Sequence, residues 1–363
     1  MTYFRLFEWI LTFWMTFVQI LDILPTTLGI MDPPRSPIAF TETGVGRGHT
    51  KDGSIKTWRK SSHFNQDLLS LNLQKLGQKG FTAKFAGISP PLMIEFWLKI
   101  RECCLRPKEK DEHGRNKLLM WLDKLHNTLS WNQVKEQYEI GASTAIGYTH
   151  DVMDGILKTF QDTDIITFPS TAERHRLMKI NERRGALLPH ALFTMDGKHA
   201  LCTGRKQAER LSHKYKWLPA FNALFIIERV FGTVVAFNLD GAAVKHDVKI
   251  FKESDFYQHM DEILDGWTIM ADKGYQGLDQ TQIAATMKSD DGRKSFYSKE
   301  FWKIFNTARG DSERVFAHFF YNKFTQLSRW PGKGKHSFVD WAKNVTCCIV
   351  IYNWLKLSQA STI

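Results

Sequence analysis

The chain has 363 residues, 43% of them hydrophobic and 24% charged, with a formal net charge of +11. This is an ordinary globular balance, long enough for two or three domains around a large core. The five cysteines are odd in number, include two adjacent pairs (Cys103-Cys104 and Cys347-Cys348) and form no Cys-x-x-Cys, which excludes a disulfide framework and a zinc ribbon. They read as reduced thiols of a cytosolic or nuclear protein. The basic excess points to a polyanionic partner, nucleic acid first and a membrane surface second.

Residues 1–24 contain the apolar run Trp9 to Leu21, closely flanked by Arg5, Glu8 and Asp22. The run is shorter than the roughly 20 residues of a spanning helix. Glu8 and the lack of a small-residue cleavage site speak against a signal peptide. A helix that packs on the body or on a second subunit is the expectation. Residues 25–60, with Pro25, Pro33, Pro34 and Pro37 followed by "GRGHTKDGSIKTWRK", read as a basic, partly disordered linker.

Residues 61–170 read as helical. "SPPLMIEFWLKIREC" opens on Ser89 and two prolines, and "KLLMWLDKLHNTL" (Lys117 to Leu129) is a second stretch at helical spacing. A short helix after Ser130, a break at Ile140-Gly141-Ala142 and a second helix capped by Ser143 or Thr144 give a helix-turn-helix pattern. An ordinary helical hairpin fits the same pattern. For DNA binding, Tyr148, Thr149 and His150 would make the contacts.

From Ala191 the periodicity changes. "ALFTMD", "AFNALFIIER", "TVVAFNLDG" and "GWTIMAD" read as strands. Helical spacing returns from Lys299 to Leu327, and "FVDWAKNVTCCIVIYNWLKL" is a last helix. Strands followed by helices predict an α/β domain over 185–363 with a mixed sheet covered by helices.

Two strand runs finish on carboxylates, Asp196 and Asp272. Asp196-Gly197 is also a common turn signal, and on "FTMDGKHALC" alone a turn is the simpler reading. If the two strands are neighbours, the repulsion between the acids demands a cation, and magnesium or manganese suits oxygen ligands. Asn306, Arg309 and Glu313 share a helical spacing with Phe316 and Phe320, which makes Glu313 a third acid. On the spacing alone an Arg309–Glu313 ion pair at i, i+4 is the simpler reading, and it is compatible with the other, since Arg309 could hold Glu313 in place.

"MDGKH", "GAAVKHD", "ADKGY", "NTARGDSERVF" and "NKFTQLSRW", in this order and spacing, resemble the nuclease domain of Harbinger-type transposases of the DDE superfamily. The resemblance covers roughly residues 85 to 355. The chain departs from the family in lacking Pro-Gly before His246-Asp247, in Ala317 where Gly is common, and in Tyr352 where His is usual. The resemblance implies an RNase H-like mixed sheet flanked by helices, preceded by an all-α helix-turn-helix region. It implies that Asp196, Asp272 and Glu313 hold two divalent cations, Mg²⁺ or Mn²⁺, about 3.5–4 Å apart. The activity implied is cutting and joining of phosphodiester bonds by hydrolysis and transesterification. Its substrate is double-stranded DNA at terminal inverted repeats and a target site, in the nucleus after synthesis in the cytoplasm. A homodimer and a Myb-like accessory protein are the implied partners, with no membrane.

Asn306, Arg309, His246 and Asp247 are then outer-shell candidates. Asp247 has three open roles: orienting a ligand, capping the helix near Val248, or ligating metal directly. Lys198, His199, Arg205, Lys206, Lys214, Lys216, Lys273, Lys323 and Arg329 would follow DNA, with Tyr148 and His150 from the helical region. Lys333 and Lys335 extend that set. Tyr215, Trp217 and Trp330 would stack on bases or pack in the core. A domesticated DNA-binding protein with a silent nuclease is the alternative, and a membrane-attached basic protein is a third reading.

Overall fold

The computed structural model describes residues 47–49, 55–57, 64 and 66–360, apart from 187, 203–210, 213–217, 241–242, 244, 273–274, 276–277, 279–282, 286–295 and 332–336. The apolar run at 9–21 lies outside the described residues. The chain divides into two compact units, 1–60 and 61–363. In the first, β1 (Arg47–His49) pairs antiparallel with β2 (Ile55–Thr57), so the basic stretch read as linker holds a small two-stranded pairing.

The second unit opens with helices α1 (Leu68–Lys84), α2 (Pro90–Cys104), α3 (Asp111–His126), α4 (Trp131–Tyr138), α5 (Ala142–Phe160) and α6 (Thr171–Arg183). Helix α2 starts at the two prolines, as the sequence predicts. Helix α3 starts earlier than its apolar spacing suggests, because Asp111 and Glu112 fill a favourable acidic first turn. A capping box between Ser130 and Gln133 opens α4, and Glu139 ends it in the left-handed conformation. Gly141, rather than Ser143 or Thr144, caps α5. Where α2 and α5 cross, Gly155 lies against Cys104: a Cβ at 155 would sit 2.2 Å from Cys104 Sγ and 3.0 Å from its backbone. Gly155→Ala is expected to destabilise the protein by about 1–3 kcal/mol through overpacking, read by urea denaturation.

The seven-stranded sheet is built on β3 (Phe193–Cys202). One edge of β3 pairs antiparallel with β5 (Leu218–Glu228), which also carries β4 (Leu211–Ser212) and β6 (Val234–Asp240). The other neighbour, parallel, is β7 (Ile269–Ala271), followed outward by β8 (Ile283–Ala285). The sheet is therefore mixed, with helices packed on it. The strand does not finish at Asp196: β5 stays paired with it as far as Leu201, so Asp196-Gly197 is mid-strand and not a turn.

Strand alternation sends Phe193 and Met195 to one face. There they share a core with Ile250 and Phe251 of α7 (Asp247–Lys252), Phe256 of α8 (Asp255–Gln258) and Met260 of α9 (Met260–Leu264). The opposite face, with Ala200, Phe221 and Phe225, packs on α10 (Phe296–Phe316) and α11 (Ser337–Ala360). The N-terminal helices join that same core, so 61–170 and the sheet share one interior. Asn353 of α11 ties it together: Val234 N–H donates to its Oδ1 at 2.9 Å, and its Nδ2 reaches the Val234 and Ile165 carbonyls at 2.7 and 2.8 Å. All five cysteines are free thiols. No helix among the described residues is long and apolar enough to cross a membrane.

A candidate carboxylate site on the edge of the central strand

Strand β7 leaves β3 after the Thr194–Met270 pairing, and β9 (Arg329–Trp330) takes up the same side of β3 at Leu201. Between them, among the described residues, the edge of β3 from Asp196 to Ala200 has no strand beside it. Crevices of this kind, where parallel neighbours part, are favoured ligand sites in α/β sheets.

Asp196 opens the notch. Its Oδ1 accepts the Gly197 N–H at 2.9 Å and its Oδ2 lies 3.8 Å from Arg309 Nη1. The side chain is only 19% exposed. Burial pushes its carboxyl up to about 6; the Gly197 N–H and the Arg309 guanidinium pull against this, while Asp272 and Asp247 add to it. Asp272 follows directly on β7, brought beside Asp196 by the parallel register.

Asp247 arrives from the other side. The N-cap of α7 is His246, exposed, with Asp247 in the first turn. The Asp247 carboxylate therefore does not cap the helix. It accepts Asn222 Nδ2 at 3.0 Å and lies against Gly197, where an added Cβ would meet its carboxyl carbon at 2.5 Å. Tyr275, only 1% exposed, closes the notch from the turn after β7. Among the described residues its hydroxyl has no hydrogen-bond partner, and neither does the Oδ1 of the buried Asn222. Burial pushes the Tyr275 hydroxyl well above its ordinary range, and the charges of Asp247, Asp196 and Asp272 push the same way. Gly197, Asn222 and Tyr275 escape a sequence search for acids and bases. Gly197 and Tyr275 are signalled only by lying beside the acids in "MDGKH" and "ADKGY", and Asn222, inside the apolar run "AFNALFIIER", carries no signal at all.

Glu313 stands apart. It is 64% exposed, and its Oε1 lies 3.2 Å from Arg309 Nη2. The buried stripe of α10 runs through Phe305, Ser312, Val315 and Phe316, with Arg309 half-buried, so Asn306 and Glu313 turn outward instead of sharing the Phe316–Phe320 face. The helix continues as a π turn over Ala317–Lys323, which changes the spacing that relates Phe316 to Phe320. Arg309 thus touches both Asp196 and Glu313.

The basic residues divide. Lys198 lies 4.5 Å from the Tyr321 ring and donates to its hydroxyl, on the α10 side of the notch. His199 is half-buried beside it, and Arg329 is exposed on β9. Lys323 turns inward: its amine donates to the Ala86 carbonyl at 2.9 Å, and burial together with Lys356 lowers it to about 8. Trp330 is buried. Tyr148 of α5 stacks on Phe64 with centroids 5.3 Å apart and carries Lys117 at 4.9 Å from its ring, so it packs rather than projects; His150 is half-buried. Arg205, Lys206, Lys214, Tyr215, Lys216, Trp217, Lys273, Lys333 and Lys335 lie outside the described residues.

Among the described residues no group of three or more His, Cys, Asp or Glu side chains already stands around one metal-sized point. The donor chemistry of the notch nevertheless fits a hard divalent cation: carboxylate oxygens that repel one another, with two buried polar oxygens lacking partners. Compared with known proteins, the chain matches no family model, no curated protein and no solved structure.

Proposed function

We propose that the chain is a metal-dependent DNA transposase or endonuclease of the Harbinger type, with an RNase H-like sheet carrying its acids. The observation that carries this reading is that Asp196, on β3, and Asp272, directly after the parallel neighbour β7, lie close enough at an open sheet edge for the charge of Asp272 to act on Asp196. In this reading Asp196 and Asp272 bind a Mg²⁺ or Mn²⁺ pair, and Glu313 joins them once Arg309 releases it. Bound there, the cations supply a Lewis acid for the scissile phosphate and a more acidic water. The residues of the chain do the rest. Asp196 and Asp272 orient the cations, Tyr275 and Asn222 offer polar oxygens to their water, and Lys198 and Arg329 hold the phosphate backbone beside the notch. Helices α4 and α5 form the helix-turn-helix, presenting the exposed Ser143 and Thr144 to double-stranded DNA. A dimer, a Myb-like accessory protein and a nuclear location complete the proposal.

One observation favours the silent alternative. Arg309 already supplies a positive charge to Asp196 and engages Glu313. The two readings separate on supercoiled plasmid carrying the element's terminal repeats. With Mn²⁺ the full chain should nick it, and Asp272→Asn should not. Nicking that persists in EDTA, or in the Asp272→Asn variant, would overturn the metal assignment; no nicking by wild type with Mn²⁺ supports the silent form.

A further inference from the structure

Asp247 is half-buried and forms no ion pair among the described residues. Its one hydrogen bond there comes from a neutral amide, Asn222 Nδ2, at 3.0 Å. A neutral amide leaves the charge of that carboxylate uncompensated among the described residues. Its surroundings are built around it. Gly197 leaves the space it fills: a Cβ there would lie 2.5 Å from Cγ and 2.5 and 2.6 Å from the two oxygens. The other end of the same amide, Asn222 Oδ1, is buried and has no partner among the described residues, and neither has the buried Tyr275 hydroxyl. That hydroxyl feels all three acids, Asp247 foremost. Asp196 reaches the notch from the α10 face of β3, and Asp247 from the α7 face; only along the strand-free edge can both face one ion.

We propose that Asp247 is a direct ligand of the divalent cation held by Asp196 and Asp272. It enters from the face opposite Glu313, with Tyr275 and Asn222 holding the ion's water. This rests on the metal-dependent reading above. Without a cation the like charges keep the carboxylates apart; a bound ion draws Asp247 across the Gly197 position. Gly197 is a positioning residue, because only glycine admits the carboxylate.

The test is binding of Mn²⁺ to the full chain by paramagnetic resonance, with bound waters counted from Tb³⁺ luminescence lifetimes in H₂O and D₂O. Asp247→Asn preserves the shape of the side chain and a partner for Asn222. It should weaken Mn²⁺ binding about tenfold or more, the scale of disturbing a metal shell. Asp247→Ala should add about one bound water to Tb³⁺, as expected when a ligand oxygen is replaced by solvent. Gly197→Ala keeps the charge but displaces it, and should weaken binding in the same way. Wild-type affinity in Asp247→Asn, with binding lost in Asp196→Asn, sinks the Asp247 assignment and leaves the metal reading standing. An unchanged water count in Asp247→Ala likewise removes Asp247 from the metal's inner shell. No difference between wild type and Asp196→Asn means that the metal reading itself has failed.

Discussion

Asp196→Asn is expected to lower DNA cleavage about 10³-fold, the scale of losing one preorganised charge-stabilising group, while making the metal-free protein more stable. The second half follows from burial. The Asp196 carboxyl is pushed up to about 6 in the folded chain, against 3.8 for the ordinary group. Above pH 6 the folded state carries a charge it would rather shed, at a cost of about 3 kcal/mol on the scale of 1.36 kcal/mol per pH unit. Because the folded value is the raised one, this cost falls as pH drops through 6 and is gone below 3.8. In EDTA the wild type should therefore gain stability from pH 7 to pH 5, so far as this group is concerned. Asp196→Asn should show a smaller gain and stand about 2–3 kcal/mol above wild type at pH 7. Urea denaturation of both proteins at both pH values, alongside plasmid nicking, reads the two effects together. A variant that is inactive and less stable would mean that Asp196 braces the strand, and the catalytic assignment would fall.

That combination of cost and function explains which parts of the site the sequence disclosed. Strands β5, β6 and β7 and the first part of β3 are largely apolar runs and legible as such, whereas the second half of β3, from Asp196 to Cys202, is interrupted by Asp, Gly, Lys and His and is held in the sheet by β5. The two-residue strands β4 and β9 carry no periodicity and exist only through their partners, yet β9 sets one end of the notch. Asp196 and Asp272 stood out because a carboxylate closes an apolar run. Asp247 was visible as a candidate but with its role open, because its place depends on the absence of a side chain at Gly197, fifty residues away in sequence. The helical spacing of Asn306, Arg309 and Glu313 was correct as a period but wrong in phase. Burial of Ser312 rotates Glu313 outward, and the phase of a stripe is fixed by tertiary contacts rather than by the helix alone. The two helices on either side of Gly141 were legible. That Tyr148 packs on Phe64 instead of facing outward was not, since Phe64 lies far upstream.

Lys117→Met is expected to cost about 3–5 kcal/mol of stability, the range for removing one partner of a buried ion pair. Lys117 is 0% exposed, and its amine lies 2.7 Å from both Glu109 and Asp151. Methionine fills nearly the same volume, so the loss is electrostatic rather than a cavity. Asp151 would keep Arg106, at 2.8 Å. Glu109 would keep His113, at 3.3 Å, but burial, more than the neighbouring Lys117 and Arg106, lowers that imidazole below its ordinary value, so it is a weaker cation than the amine it would stand in for. Adding Glu109→Gln to Lys117→Met should therefore recover a large part of the loss, because the stranded charge goes with it. Urea denaturation of the single and double variants tests this, and a single variant within 1 kcal/mol of wild type would show that water reaches the cluster. The consequence extends beyond stability. Asp151 lies on α5, and Lys117 also sits over the Tyr148 ring of the same helix, so this one amine fixes α5 on α3. If α4 and α5 grip DNA, Lys117→Met should weaken DNA binding at temperatures where the sheet is still folded and Mn²⁺ still binds. Loss of DNA binding only on global unfolding would assign α5 to the core alone and leave DNA recognition to the basic residues around the notch.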